Sequence, residues 1–227
     1  MNSILDNFRD VIAARIPLAG SRVLDVGCGD GSFVRELARA GAVPTGMECS
    51  ATQLELCRKA SPVGTETYLS GVGEDLPFDD ATFDATVFRA SLHHVPPASM
   101  NKALREARRV TRPGGELFIF EPLTVGTHFQ LTRLVDDETE VRRLAQAAIA
   151  LAVAEGWLSR THSETLDSKA VYRDFDALRQ RFMAVDASRG SAFRSVEQQL
   201  RRVFESNGIP VEAGRSFSQP FRLDVLK

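Results

Sequence analysis

The sequence predicts a doubly wound α/β fold built on a mainly parallel sheet, and two observations carry that expectation. Residues 23–31, Val-Leu-Asp-Val-Gly-Cys-Gly-Asp-Gly, run a short apolar strand straight into a loop with glycine at every second position. From there to residue 121, apolar runs of strand length alternate with segments of helical period. Such alternation implies right-handed βαβ crossovers and a sheet covered by helices on both faces.

Residues 1–16 read as an amphipathic N-terminal helix, with Asp6 and Asp10 where a targeting signal would be basic. After the first strand, Gly27, Gly29 and Gly31 can take φ > 0 and carry no Cβ, so a ligand can lie against bare backbone at the strand's carboxyl end. Residues 32–39 then form a helix, with Phe33, Val34, Leu37 and Ala38 on one face and Gly41 at the stop. The second strand, 42–47, ends at Glu48, about 20 residues past the glycines, where a carboxylate can accept from both hydroxyls of a ribose. Ser50 is placed to cap a helix over 53–59, and strands three and four follow at 65–69 and 82–88. Ala103, Leu104, Ala107 and Val110 give a helix over 100–110, and Pro113-Gly114-Gly115 turns the chain into strand five, 116–121. The loops after strands one to four should meet where the strand order reverses.

Beyond Pro122 the pattern changes. No strand is expected within 124–194, which reads as a helical insertion. Its main element, 137–155, has acids in the first turn and Val141, Leu144, Ala145, Ala148, Ile149 and Ala152 on one face. A helix over 195–206 stops at Asn207-Gly208, and 209–213 with 219–226 form a closing antiparallel pair.

Composition fits one domain over 1–227: the chain is 43% apolar, and its net charge is −2. That balance leaves no electrostatic footprint for nucleic acid, and no stretch reaches the about 18 apolar residues of a membrane span. Cys28, Cys49 and Cys57 cannot all pair and match no zinc spacing, so free thiols, a cytoplasmic location and no metal are expected. A glycine loop plus an acid suits any adenosine cofactor, nicotinamide included, but Ser32 stands where a dehydrogenase fingerprint wants its third glycine.

Four segments in order, VLDVGCGDGSF, GMECS, GEDLPFDDATFDATVFRASLHHV and RVTRPGGELFIFEPL, resemble the class I S-adenosylmethionine-dependent methyltransferases, in particular the small-molecule branch with quinone-biosynthesis enzymes. The resemblance spans roughly residues 23–123. It implies a seven-stranded Rossmann-like sheet, S-adenosylmethionine as cofactor with S-adenosylhomocysteine as product, and methyl transfer to a small molecule. In that frame Asp25 with Gly27, Cys28 and Gly29 holds the methionine portion, Glu48 the ribose, and Met47 and Cys49 flank the adenosine. Relatives carry an aspartate for the adenine amino group where this chain has Val72, so Gly73, Glu74 and Asp75 are the candidates for the adenine. Arg89 replaces a small residue and offers a fork to the methionine carboxylate or an acidic substrate.

For the acceptor, His93 in the Ser91-Leu92-His93-His94-Val95 run is a candidate proton acceptor, and Glu121, His128 and Arg133 are candidate pocket residues. In the resembled family, additions after strand five commonly form a lid over the acceptor. The same helix could instead brace the core or pair two copies, and a homodimer is one assembly open to the chain. Arg105, Arg108, Arg109 and Arg112 read as a solvated helix face. Rival readings are a non-catalytic S-adenosylmethionine-binding protein and a different reaction on the same cofactor scaffold; protein or RNA methylation is a weaker third.

Overall fold

The computed structural model describes residues 5–185 and 190–227. Helix α1 (Leu5–Ala13) is followed by β1 (Arg22–Val26), α2 (Ser32–Arg39), β2 (Val43–Glu48), α3 (Ala51–Lys59), β3 (Thr67–Ser70) and β4 (Phe83–Arg89). Next come α4 (Met100–Val110), β5 (Thr111–Pro122), α5 (Thr127–Thr132), α6 (Thr139–Ala154), β6 (Arg160–Leu166) and β7 (Lys169–Tyr172). The chain closes with α7 (Phe175–Val185), α8 (Gly190–Asn207), β8 (Ile209–Val211), β9 (Gly214–Ser218) and β10 (Phe221–Leu226).

Seven strands form the main sheet in the order β3-β2-β1-β4-β5-β10-β6. The first five neighbours are parallel, and β10 runs antiparallel between β5 and β6. Strand order reverses between β1 and β4, which opens a crevice beyond their carboxyl ends. Strand β5 shows why such sequences read as unbroken apolar runs: Leu117 and Ile119 pack on the face covered by α4 and α6, Phe118 and Phe120 on the face covered by α1 and α2. Helix α1 is anchored there by Phe8, whose ring centroid lies 4.8 Å from that of Phe120 and 4.9 Å from that of Phe221.

Three expectations need correction. The turn before strand five is a bulge inside it: Thr111 pairs with Phe83, Gly114 takes φ 83°, and the ladder resumes with Glu116 opposite Ala85. Helices do follow strand five, but 124–194 also contains β6 and β7. Strand β6, Arg-Thr-His-Ser-Glu-Thr-Leu, is a polar edge strand that pairs only with β10, so it carries no apolar alternation to read. Finally, 209–213 does not pair with the last strand. Strands β8 and β9 form a hairpin that joins β7 in a separate three-stranded sheet, β7-β9-β8. That sheet and α5, α7 and α8 enclose an apolar cluster of their own, including Leu131, Phe175, Leu178, Phe193, Phe204 and Phe217.

Candidate functional site

The loop after β1 is shaped by its glycines in two different ways. Gly27, Gly29 and Gly31 take φ 74°, 57° and 70°. A Cβ on Gly27 would stand 2.6 Å from Ser91 Cβ, and one on Gly31 2.6 Å from Tyr68 Cε1, so both are required by packing. A Cβ on Gly29 would meet nothing within 4 Å. Its bare side faces open space, as a cradle for a ligand requires. Backbone hydrogen bonds pin the loop: Gly27 and Cys28 N–H donate to Met47 O at 2.8 and 3.0 Å.

Glu48 ties the second loop to the first. Its Oε2 accepts from Gly29 N–H and its Oε1 from Ser50 N–H, both at 2.8 Å. The Cys49 thiol also donates to Oε1 at 3.6 Å; of a carboxylate's about four lone-pair sites the two backbone bonds leave two, one of them shared with that thiol. Ser50 caps α3 through Gln53 N–H, as its position in the sequence suggested. Cys49 is exposed, while Cys28 and Cys57 are buried, and Cys57 Sγ donates to Gly29 O at 3.1 Å. Burial raises the Cys28 thiol, and neighbouring carboxylates add to it, so a thiolate nucleophile is not favoured there.

Asp25 is the unusual group. It is 1% exposed, and neither carboxylate oxygen has a hydrogen-bond partner among the described residues. Burial pushes its pKa up to about 7, Arg89 pulling down and Glu48 pushing further up. A buried acid without a donor is costly, so a cationic ligand carrying N–H groups beside it would restore the missing bonds. Arg89 has an unpartnered buried Nε, and its guanidinium carbon lies 5.1 Å from the Phe33 ring centroid and 6.0 Å from that of Phe8. Burial lowers its pKa against the opposing pull of Asp25.

The loop after β3 lies beside Glu48, its Gly71 N–H bonded to Glu48 O at 3.2 Å. Gly73 is buried, Glu74 half-buried, and Val72 and Asp75 are exposed, bridged to each other through their backbones. The continuing chain is stapled by Arg109, which donates to Leu76 O at 3.0 Å and Phe78 O at 2.7 Å and pairs with Glu106 and Asp80. Arg109 therefore positions this loop, in contrast to the solvated face expected of it.

On the far side of the crevice, β5 ends at a buried polar cluster. Glu121, 1% exposed, accepts Leu92 N–H at 3.0 Å on Oε1 and contacts His93 Nδ1 at 2.5 Å on Oε2. His93 Nε2 lies 3.8 Å from Glu138 Oε2, and the His93 and His94 rings stand 4.1 Å apart. Glu138 Oε2 also accepts from Arg142 Nη2 at 2.7 Å. Glu138 and Arg142 were not singled out in the sequence, because they look like an ordinary i, i+4 pair on the helix. His128 lies elsewhere, with Nδ1 on Gln219 and Nε2 on the Tyr172 hydroxyl at 2.8 Å, both ring nitrogens thereby engaged. Burial pulls its pKa down to about 4. Arg133 is paired with Asp137 at 3.2 Å.

The adenosyl cofactor implied by the resemblance fits these residues: a bare glycine edge, a carboxylate with acceptor sites to spare, and a buried acid lacking donors. Among known proteins, residues 24–119 match the family described as "Methyltransferase domain". Ubiquinone biosynthesis O-methyltransferase of Xanthomonas oryzae pv. oryzae is 36% identical over 114 residues, 48% of this chain and 46% of that one. 27-O-demethylrifamycin SV methyltransferase of Amycolatopsis mediterranei is 30% identical over 167 residues, 71% of this chain and 60% of that one. The chain spans about half the length of the curated relatives it matches. A solved structure titled as SAM-dependent methyltransferases from Methanosarcina mazei aligns over 95% of both chains with a TM-score of 0.60 at 15% identity. No helix among the described residues is long and apolar enough to cross a membrane.

Proposed function

We propose, from the match of residues 24–119 to the methyltransferase-domain family, that this chain transfers the methyl group of S-adenosylmethionine to a small-molecule acceptor. The observation that carries the reading is the pairing of Asp25, buried and lacking donors, with Glu48 clamped against the Gly29 N–H. The two acids lie at the ends of adjacent parallel strands, β1 and β2, where one ligand can reach both. When bound, the cofactor supplies a sulfonium-activated methyl group and a good leaving group. The protein's residues must bind, orient and exclude water. Glu48 accepts from the ribose hydroxyls, Asp25 from the methionine ammonium, and the backbone of Gly27, Cys28 and Gly29 lies along the amino-acid portion. Arg89 faces the methionine carboxylate, and Cys49, Gly73, Glu74 and Asp75 border the adenine.

Glu121 fixes the tautomer and orientation of His93, so that ring presents Nε2 toward the acceptor side. Helix α6, whose first turn lies beside His93, forms part of the lid. His128, with both nitrogens bonded inside the protein, ties α5 to β7 and to the link between β9 and β10 in this reading and takes no proton from the acceptor. The similar Xanthomonas oryzae enzyme is named for O-methylation, which favours an oxygen acceptor. The reading places the enzyme in the cytoplasm with no nucleic-acid or membrane partner. The test is transfer of labelled methyl from S-adenosylmethionine to a panel of phenols, carboxylic acids and amines. Turnover on one class that falls at least tenfold in Glu121→Gln supports the reading. Cofactor binding with no transfer to any class, nor to protein or RNA fractions, favours the non-catalytic alternative.

A further inference from the structure

The polar cluster at the end of β5 has a composition that proton transfer alone does not require. His93, His94 and Glu138 each offer a ligand atom, and these atoms lie within 4.8 Å of one another. Three features go beyond proximity. His93 turns its Nδ1 to a buried carboxylate, Glu121, which is the second-sphere arrangement that orients metal-binding imidazoles and raises their basicity. Glu138 carries a carboxylate held in place by Arg142, whose Nε and Nη2 donate to its Oε2 at 3.2 and 2.7 Å. The cluster is open on one side, since His93 is buried, Glu138 half-buried and His94 exposed. That leaves room for a non-protein ligand.

We propose that His93, His94 and Glu138 form a binding site for one divalent transition-metal ion beside the acceptor crevice. Two imidazoles and one carboxylate suit Zn(II), Co(II), Fe(II) or Ni(II) over Mg(II) or Ca(II), which prefer oxygen ligands. Three protein ligands leave at least one position for water or an acceptor oxygen. Ligand atoms of a tetrahedral site stand about 3.4 Å apart for bonds near 2.1 Å, so the cluster must contract slightly. The adjustment falls to His94, whose ring is at the surface. Arg142 and the metal share the Glu138 carboxylate, one cation on each side of its about four lone-pair sites.

The inference does not depend on methyl transfer, and its test is read without activity. Untagged, chelator-treated full-length protein is titrated with Co(II) and followed by its visible ligand-field absorption. The expected result is saturation at one equivalent per chain, displacement by Zn(II), and affinity at least tenfold weaker in His94→Ala and in Glu138→Gln. Glu121→Gln, which leaves the three ligands in place, should weaken binding about tenfold as well. Absence of a Co(II) spectrum in the wild type, or binding unchanged by His94→Ala, overturns the proposal. Should Glu138→Gln fail to fold, His94→Ala at its exposed position decides the matter.

Discussion

In the proposed site Asp25 and Glu48 would divide the task of holding the cofactor, and each should give a distinct signature when changed. Glu48 holds two backbone N–H groups and, more weakly, the Cys49 thiol, with acceptor capacity left on its open side. Charge-assisted bonds of that kind are worth about 1.5–3 kcal/mol, so Glu48→Gln should weaken S-adenosylmethionine by roughly 10- to 100-fold in equilibrium dialysis. Equal affinity in variant and wild type would remove Glu48 from the site. Asp25 adds a pH dependence. Its pKa of about 7 in the protein lies above the ordinary 3.8, so below pH 7 the carboxyl is mostly protonated and must lose a proton to meet an ammonium. Affinity for the cofactor should therefore rise as pH passes up through 7, and Asp25→Asn should flatten that profile. A profile unchanged by the substitution would contradict the contact.

The glycines separate packing from ligand contact. Gly27→Ala places a Cβ 2.6 Å from Ser91 Cβ at positive φ and should cost about 1–3 kcal/mol in urea unfolding. Gly29→Ala meets no atom of the protein. At φ 57° the alanine should cost about 1 kcal/mol of backbone strain, less than Gly27→Ala, yet lose cofactor affinity, and normal binding would show that no ligand lies on that edge. This distinction was only half legible in the sequence. Alternate glycines announce a tight turn, but which glycine faces a neighbour and which faces open space depends on Ser91, past the end of β4, and Tyr68 of β3.

At the scale of elements, the parallel half of the sheet was readable because β1, β2, β4 and β5 are largely buried and its helices are amphipathic. The C-terminal half was not. Strand β6 is polar and gains its pairing from β10, nearly sixty residues on, and the hairpin of β8 and β9 joins β7 from across the chain. Nothing local specifies such pairings. Helix α1 shows the converse case, an element docked by a few apolar residues, Phe8 and Ile12 foremost. Phe8 is fully buried between Phe120 and Phe221, and Phe8→Ala should cost about 3–5 kcal/mol by urea denaturation. A loss under 1 kcal/mol would mean that α1 is not docked as described.

For the whole molecule, two buried titrating groups set opposite trends of stability with pH. His128 has a pKa near 4 against the ordinary 6.5, so the unfolded chain binds more protons between those values. Its contribution is full above about 6.5 and falls as pH drops toward 4. For Asp25 the folded chain binds the extra proton between 3.8 and about 7, so its contribution is full below 3.8 and is lost as pH rises to 7. Asp25→Asn should thus raise stability at pH 8 by on the order of 2 kcal/mol while weakening the cofactor, a sign that binding is favoured at the expense of the unliganded fold. A lower melting temperature for Asp25→Asn at pH 8 would contradict this.

The account as a whole turns on what occupies the crevice beyond β1 and β4. Calorimetric titration of the full chain with S-adenosylhomocysteine, and separately with a nicotinamide dinucleotide, addresses it most directly. The prediction is one saturable site for S-adenosylhomocysteine, weakened by Glu48→Gln, with no heat from the dinucleotide. No binding of the nucleoside thioether to folded protein, or binding of the dinucleotide in its place, would contradict it.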